Sequence, residues 1–137
     1  MITVKLIREY MCDESPEDNP AQMDLIWKDS EILAAMRSVA IAYNAIEPLV
    51  EEVTADNLPD LEAWAYSGVA AELCRKRLIK LRNRDIVYEA GNVKASYTAN
   101  LIKHVEGMYK EYSDDFMKAA QARKLRINLN AAYGHWS

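Results

Sequence analysis

The chain has 137 residues, half of them apolar and 28% charged, with only four glycines and four prolines. That composition fits one folded domain built from few, long elements and excludes a disordered or low-complexity chain. The net charge of −4 argues against a generally basic nucleic-acid binder, yet it is unevenly spread, at −9 over residues 1–60 and +5 over residues 61–137.

Halves of opposite sign suit a molecule with an acidic and a basic face that pairs with copies of itself, or halves that fold together and mix their charges. No apolar run reaches the roughly 18–20 residues needed to cross a bilayer, so no membrane span is expected. The first residues, MITVKLIREYM, lack the apolar core and cleavage site of a signal peptide. Cys12 and Cys74 stand in no metal or redox spacing, and free thiols in a reducing compartment are the simplest reading.

In chain order, Thr3 is placed to cap a short helix carrying Val4, Ile7, Tyr10 and Met11 on one side. CDESPEDNP is an acidic loop. Asn19-Pro20 is a helix start, with proline at the first helical position. Met23, Ile26, Trp27, Leu33, Met36, Ala40, Tyr43 and Ile46 then recur at helical spacing up to Pro48. One long helix is expected, bent where Asp29-Ser30 interrupts the stripe; the alternative is that Asp29-Ser30 caps a separate second helix. After a two-proline connection, Leu61, Trp64, Ala65, Gly68, Ala71 and Leu78 trace a helix of about 24 residues. Its body, AWAYSGVAAEL, is rich in small residues; its end, RKRLIKLRNR, holds six cations: Arg75, Lys76, Arg77, Lys80, Arg82 and Arg84.

IVYEAGNVKASY, with Val87, Tyr88, Val93 and Tyr97, then reads as two β-type runs around Gly91-Asn92, a pair suited to a hairpin turn. Ser96 or Thr98 caps a last helix with Leu101, Val105, Met108, Tyr109, Tyr112, Phe116 and Ala120 on its buried face. Ended near Lys124, it would be about 40 Å long, which for so small a domain points to a partner. In LRINLNAAYGHWS, Leu125, Ile127 and Leu129 alternate with Arg126, Asn128 and Asn130, the period of a strand with one apolar face. A lone strand is unstable in water and completes itself on another sheet edge, or folds back on its own domain. The expected architecture is therefore mainly α. A bundle of three to four helices over residues 1–124 carries a short β-hairpin-like insertion, and an extended C-terminal arm spans residues 125–137.

Residues for chemistry are sparse. The sequence has no phosphate-binding glycine loop, no HExxH motif and no clustered Cys/His set. Cys74 lies mid-helix among apolar neighbours, as a buried thiol does. His104 sits beside an apolar stripe, and Asp114 and Asp115 diverge by about 100° on a helix, so they form a solvated pair and not a dyad. No catalytic residue, cofactor or metal is expected. The basic run Arg75–Arg84 is a candidate for phosphate contacts, or for an acidic surface on a neighbouring subunit, and its cations also complement a helix C-terminus.

The order of elements resembles the head-to-tail adaptor (connector, or neck) proteins of tailed bacteriophages. The stretches that carry the resemblance are ITVKLIREYM, NPAQMDLIWKDSEILAAMRSVAIAYNAI, LPDLEAWAYSGVAAEL and YEAGNVKASYTANLIKHVEGMYKEY, most of the chain. The resemblance implies a structural virion protein, assembled in the host cytoplasm into a ring of typically twelve copies beneath the portal. Such a ring extends the DNA channel, with no sequence readout, and docks a tail or tail-completion protein. It further implies that Arg126, Ile127, Leu129, Tyr133, His135 and Trp136 bind the portal, and that the segment around Val87–Tyr97 contacts a subunit or the tail. Some members carry a longer insertion between the middle helices, so loop contacts do not transfer. The competing reading is a small helical DNA-binding or regulatory module that uses Arg75–Arg84.

Overall fold

The computed structural model describes residues 1–14, 26–87 and 92–134, and within them the side chains of all but 84–87, 92–98, 133 and 134. The chain is mainly α, with α1 (Val4–Met11), α2 (Asp29–Ala45), α3 (Ala63–Val87) and α4 (Asn92–Gly134), plus a 3-10 turn at Ala55–Asn57. α3 is the central helix. α4 and α2 both pack antiparallel to it and meet each other over Gly68 and at Tyr43 and Lys124, and α1 packs against α2 and α3.

Local chemistry explains the start. The Thr3 hydroxyl accepts from the Leu6 N–H, and Cys12, in the left-handed region at φ 55°, ends α1 by donating to the Arg8 and Glu9 carbonyls. The single long helix expected from Pro20 is not what forms over the described part. Ile26–Lys28 are non-helical and α2 begins at Asp29; Pro20 itself lies outside the described residues. The reason is a buried clasp. The Asp13 carboxylate accepts from the Ile26 and Trp27 N–H groups. The Arg8 guanidinium donates to the carboxylates of Asp13 and Asp29 and to the Trp27 carbonyl. Backbone groups that a longer helix would pair internally are held by side chains instead. Glu31 then accepts from the Lys28 N–H, serving the new N-terminus.

The core runs from Ile2 and Ile7 through Ile32, Met36, Val39 and Tyr43 of α2 to Trp64 and Val69 of α3 and Phe116 and Ala120 of α4. A second cluster, Cys74, Leu78, Leu81 and Val105, fills the far end of the α3–α4 pair. Gly68 lies where three helices meet: a Cβ there would stand 2.8 Å from the Phe116 ring and 2.9 Å from Val39 Cγ1. No helix among the described residues is long and apolar enough to cross a membrane.

Two expectations fail here. The β-hairpin-like insertion is not supported: Val87 is the last residue of α3, and Val93 and Tyr97 lie in the first turns of α4. Tyr88 and Gly91 lie outside the described residues. Antiparallel packing of two long helices outweighs the weaker local β preference of a few valines and tyrosines. The extended arm is likewise a helix through Gly134. Leu125 and Leu129, two strand positions apart in one pattern, are also an i,i+4 pair in the other. Extending a helix already formed needs no new nucleus, so the helical alternative is the cheaper one. α4 therefore has 43 residues and is about 65 Å long.

Candidate functional site

At one end of the bundle the last turns of α4 pass the beginning of α3. The register follows from side-chain contacts. Arg123 Nη1 lies 2.9 Å from Glu62 and Arg126 3.6 Å from the same carboxylate, one residue before α3 starts. Residues after Arg126 therefore run beyond the central helix, and Asn128–Ala132 are exposed while Ile127 is half-buried.

This end is locked internally. Tyr43 stacks on Trp64 with ring centres 3.8 Å apart and planes 8° apart. Lys124 is fully buried above the other face of the tyrosine, 4.5 Å from the ring centre, and its ammonium donates to the Ile46 carbonyl. Burial pulls the Lys124 ammonium below its ordinary range, a shift that nearby Glu51 partly offsets. Glu51 accepts from the Tyr43 hydroxyl at 2.6 Å and from Arg123. Burial alone would raise the Glu51 carboxyl, but the hydrogen bonds from Tyr43 and Arg123 outweigh it and hold the carboxyl low. The Asn44 amide pairs with both the N–H and the carbonyl of Val53, each at 2.8 Å, tying the connection between α2 and α3 to α2.

Around this ion lattice stand large apolar side chains in water. Leu61 is 95% exposed, Leu49 72%, Leu125 54% and Leu129 52%. Each lies within three residues in sequence of a member of the lattice. Leu61, expected on a buried helical stripe, falls in the turn before α3 and faces solvent. This leucine-bearing end is the candidate docking surface. Of the residues assigned to a partner-binding arm, Arg126, Ile127 and Leu129 belong to it. Tyr133 lies in α4 with its side chain outside the described residues, as are His135 and Trp136 entirely.

The basic run is largely consumed within the chain. Arg75 pairs with Glu72, Lys80 with Glu31 and Arg82 with Glu106, and Lys76 donates to the Glu31 carbonyl. Glu31 is held low, its burial outweighed by Lys80. Arg77 is half-buried near Cys74, and the Arg84 side chain lies outside the described residues. The run stitches α3 to α2 and α4. A row of six cations read in one dimension gives no sign of the carboxylates waiting on other helices.

The remaining candidates sit as single groups. Cys74 is buried, which pushes its thiol up to about 11, and Cys12 is exposed. His104, Asp114 and Asp115 are exposed on α4. Among the described residues no group of three His, Cys, Asp or Glu side chains is arranged to hold a metal ion. No protein-family model, curated protein or solved structure matches the chain.

The clasp around Arg8 and Asp13 and the burial of Lys124 are barely legible in spacing along the chain. Only Lys124 left a trace: at i+4 from Ala120, it continues the buried stripe of α4.

Proposed function

We propose that this protein is a non-enzymatic structural adaptor of the phage head-to-tail type, working as a ring between portal and tail through which packaged DNA passes. The observation that carries this is the end of the bundle where α4 outruns α3 with Leu125 and Leu129 exposed on it, while Leu49 and Leu61 are exposed in the connection between α2 and α3 at the same end. Scattered exposed leucines are ordinary; four at one end, beside a rigid ion lattice, are what an anchoring surface needs. The projecting turns are already helical, so docking as an amphipathic helix in a groove demands little further ordering. Strand addition, the mode an extended arm would use, is replaced by this one.

The test is docking to portal protein. Purified chain mixed with portal is expected to form a high-mass complex, and the chain is expected in purified virions. Leu125→Ser with Leu129→Ser should keep the helical spectrum and lose the complex. A chain that stays monomeric with portal and is absent from virions overturns the proposal. The competing duplex-binding role for Arg75–Arg84 is disfavoured by the in-chain bonds of Arg75, Lys76, Lys80 and Arg82, and a salt-sensitive gel shift would be needed to revive it.

A further inference from the structure

We propose that the groove between α1 and α4, floored by the first turns of α3, receives an arginine side chain presented by a partner protein. The groove lies apart from the leucine-bearing end and stands independently of the docking described there.

The run AWAYSGVAAEL is rich in small residues, and two of them leave a space open. Ala63 and Ser67, one turn apart on α3, join Ala119 of α4 in lining an open groove of about 420 Å3. Tyr10 of α1 forms one side, and Asp115 and Lys118 of α4 form the other. The Ser67 hydroxyl is already used, donating to the Ala63 carbonyl at 3.0 Å. Recognition therefore falls to the tyrosine and to the charges facing it.

Tyr10 is built as a platform. It is 43% exposed, yet its ring is propped by Tyr66, with centres 5.3 Å apart, and by Tyr112, with centres 6.1 Å apart. Such support fixes the ring before anything binds, which spares a ligand the cost of ordering it. The open part of an aromatic ring attracts a cation through its quadrupole.

The surrounding charge has the matching sign. Tyr10 is raised by burial and further by the carboxylates of Asp115 and Glu111; Tyr66 is raised by burial and further by Asp60 and Glu9. Asp60 is paired with the N-terminal amine. Glu9, Glu111 and Asp115 form no ion pair with another described residue. Lys118 is the one cation lining the groove, and it is exposed. Three unpaired carboxylates against one solvated lysine leave the groove acidic. Nucleic acid is repelled by that charge, and a purely apolar side chain would cover Asp115 without pairing it. A guanidinium is flat enough to stack on a tyrosine while its fork of donors meets a carboxylate, which an ammonium does not do. Tyr10 and Asp115 line the same groove, so a single arginine meets both.

The test is an amide-shift titration of the full-length chain with N-acetylarginine amide, compared with its uncharged isostere N-acetylcitrulline amide. The arginine probe is expected to move the Tyr10, Ser67 and Ala119 amides saturably, and the citrulline probe to bind roughly fivefold more weakly. Tyr10→Leu, with the helical spectrum retained, should weaken arginine binding about fivefold. Asp115→Asn changes an exposed residue and leaves folding intact; it should weaken binding a few-fold, and Lys118→Gln should tighten it. Equal binding of the two probes, no saturable shift at the groove, or binding indifferent to Asp115→Asn and Lys118→Gln overturns the proposal. None of these variants touches Leu125 or Leu129, so a failure here leaves the portal test standing.

Discussion

The ammonium of Lys124 lies over the ring of Tyr43, 4.5 Å from its centre, and donates to the Ile46 carbonyl with none of the residue exposed to water. Three elements meet in that relationship: α4 supplies the cation, α2 the ring, and the residue after α2 the carbonyl. Trp64 of α3 backs the ring from below. Removing the cation costs stability through two routes, a lost cation–π contact and an orphaned carbonyl. Lys124→Ala should cost about 2–4 kcal/mol, since it also leaves a cavity. Lys124→Met keeps most of the stem and should cost about half as much. Urea unfolding measures both.

Gly68 and Gly107 make a matched pair. Both are helical, but a Cβ at Gly68 collides with Phe116 and Val39, whereas at Gly107 it meets nothing within 4 Å. Gly68→Ala should destabilise by about 1–3 kcal/mol through overpacking. Gly107→Ala should stabilise by about 0.5–1 kcal/mol, because alanine loses less backbone entropy in a helix. Opposite shifts in melting temperature are the expected result.

The clasp of Arg8 and Asp13 is buried, with Asp13 1% exposed. Asp13→Ala leaves the Ile26 and Trp27 N–H groups without an acceptor and removes one of the two carboxylates on the Arg8 guanidinium, which keeps Asp29 and the Trp27 carbonyl. A loss of about 2–4 kcal/mol is expected, the scale for leaving two buried N–H groups unpaired while Arg8 stays paired with Asp29. Faster amide exchange at Ile26 and Trp27 would localise the effect.

Stability should fall in acid. The carboxyls of Glu51 and Glu31 are held below the ordinary value of 4.5 in the folded chain. The folded state therefore binds fewer protons than the unfolded state as pH drops from about 5 through 4.5 and lower. Stability is full above that range and is lost as each group protonates. Glu51→Gln should flatten the acid limb of a melting-temperature profile. At the alkaline end Cys74 and Tyr43 hold their protons more tightly in the folded chain than in the unfolded one, so stability falls as pH rises past their ordinary values; Lys124, whose proton is held less tightly in the folded chain, works in the opposite direction.

The sequence by itself determined the helical class, the Thr3 cap, the bounds of α3 to within a few residues and the buried stripe of α4. These depend on spacing within a single segment, which period and capping chemistry report directly. Tertiary structure decided between the two starts that the break at Asp29-Ser30 left open for α2, because the groups that compete for its backbone come from Arg8 and Asp13, more than a dozen residues away. It decided that IVYEAGNVKASY contributes helix ends in place of a hairpin, and that Leu125–Leu129 extends a helix in place of a strand. Both patterns fit two periods locally, and the choice belongs to the long neighbouring helix that either period has to continue. It also decided the fate of the basic run, whose partners Glu31 and Glu106 sit on other helices. Spacing along a chain reports which residues share a face; only packing decides what that face meets.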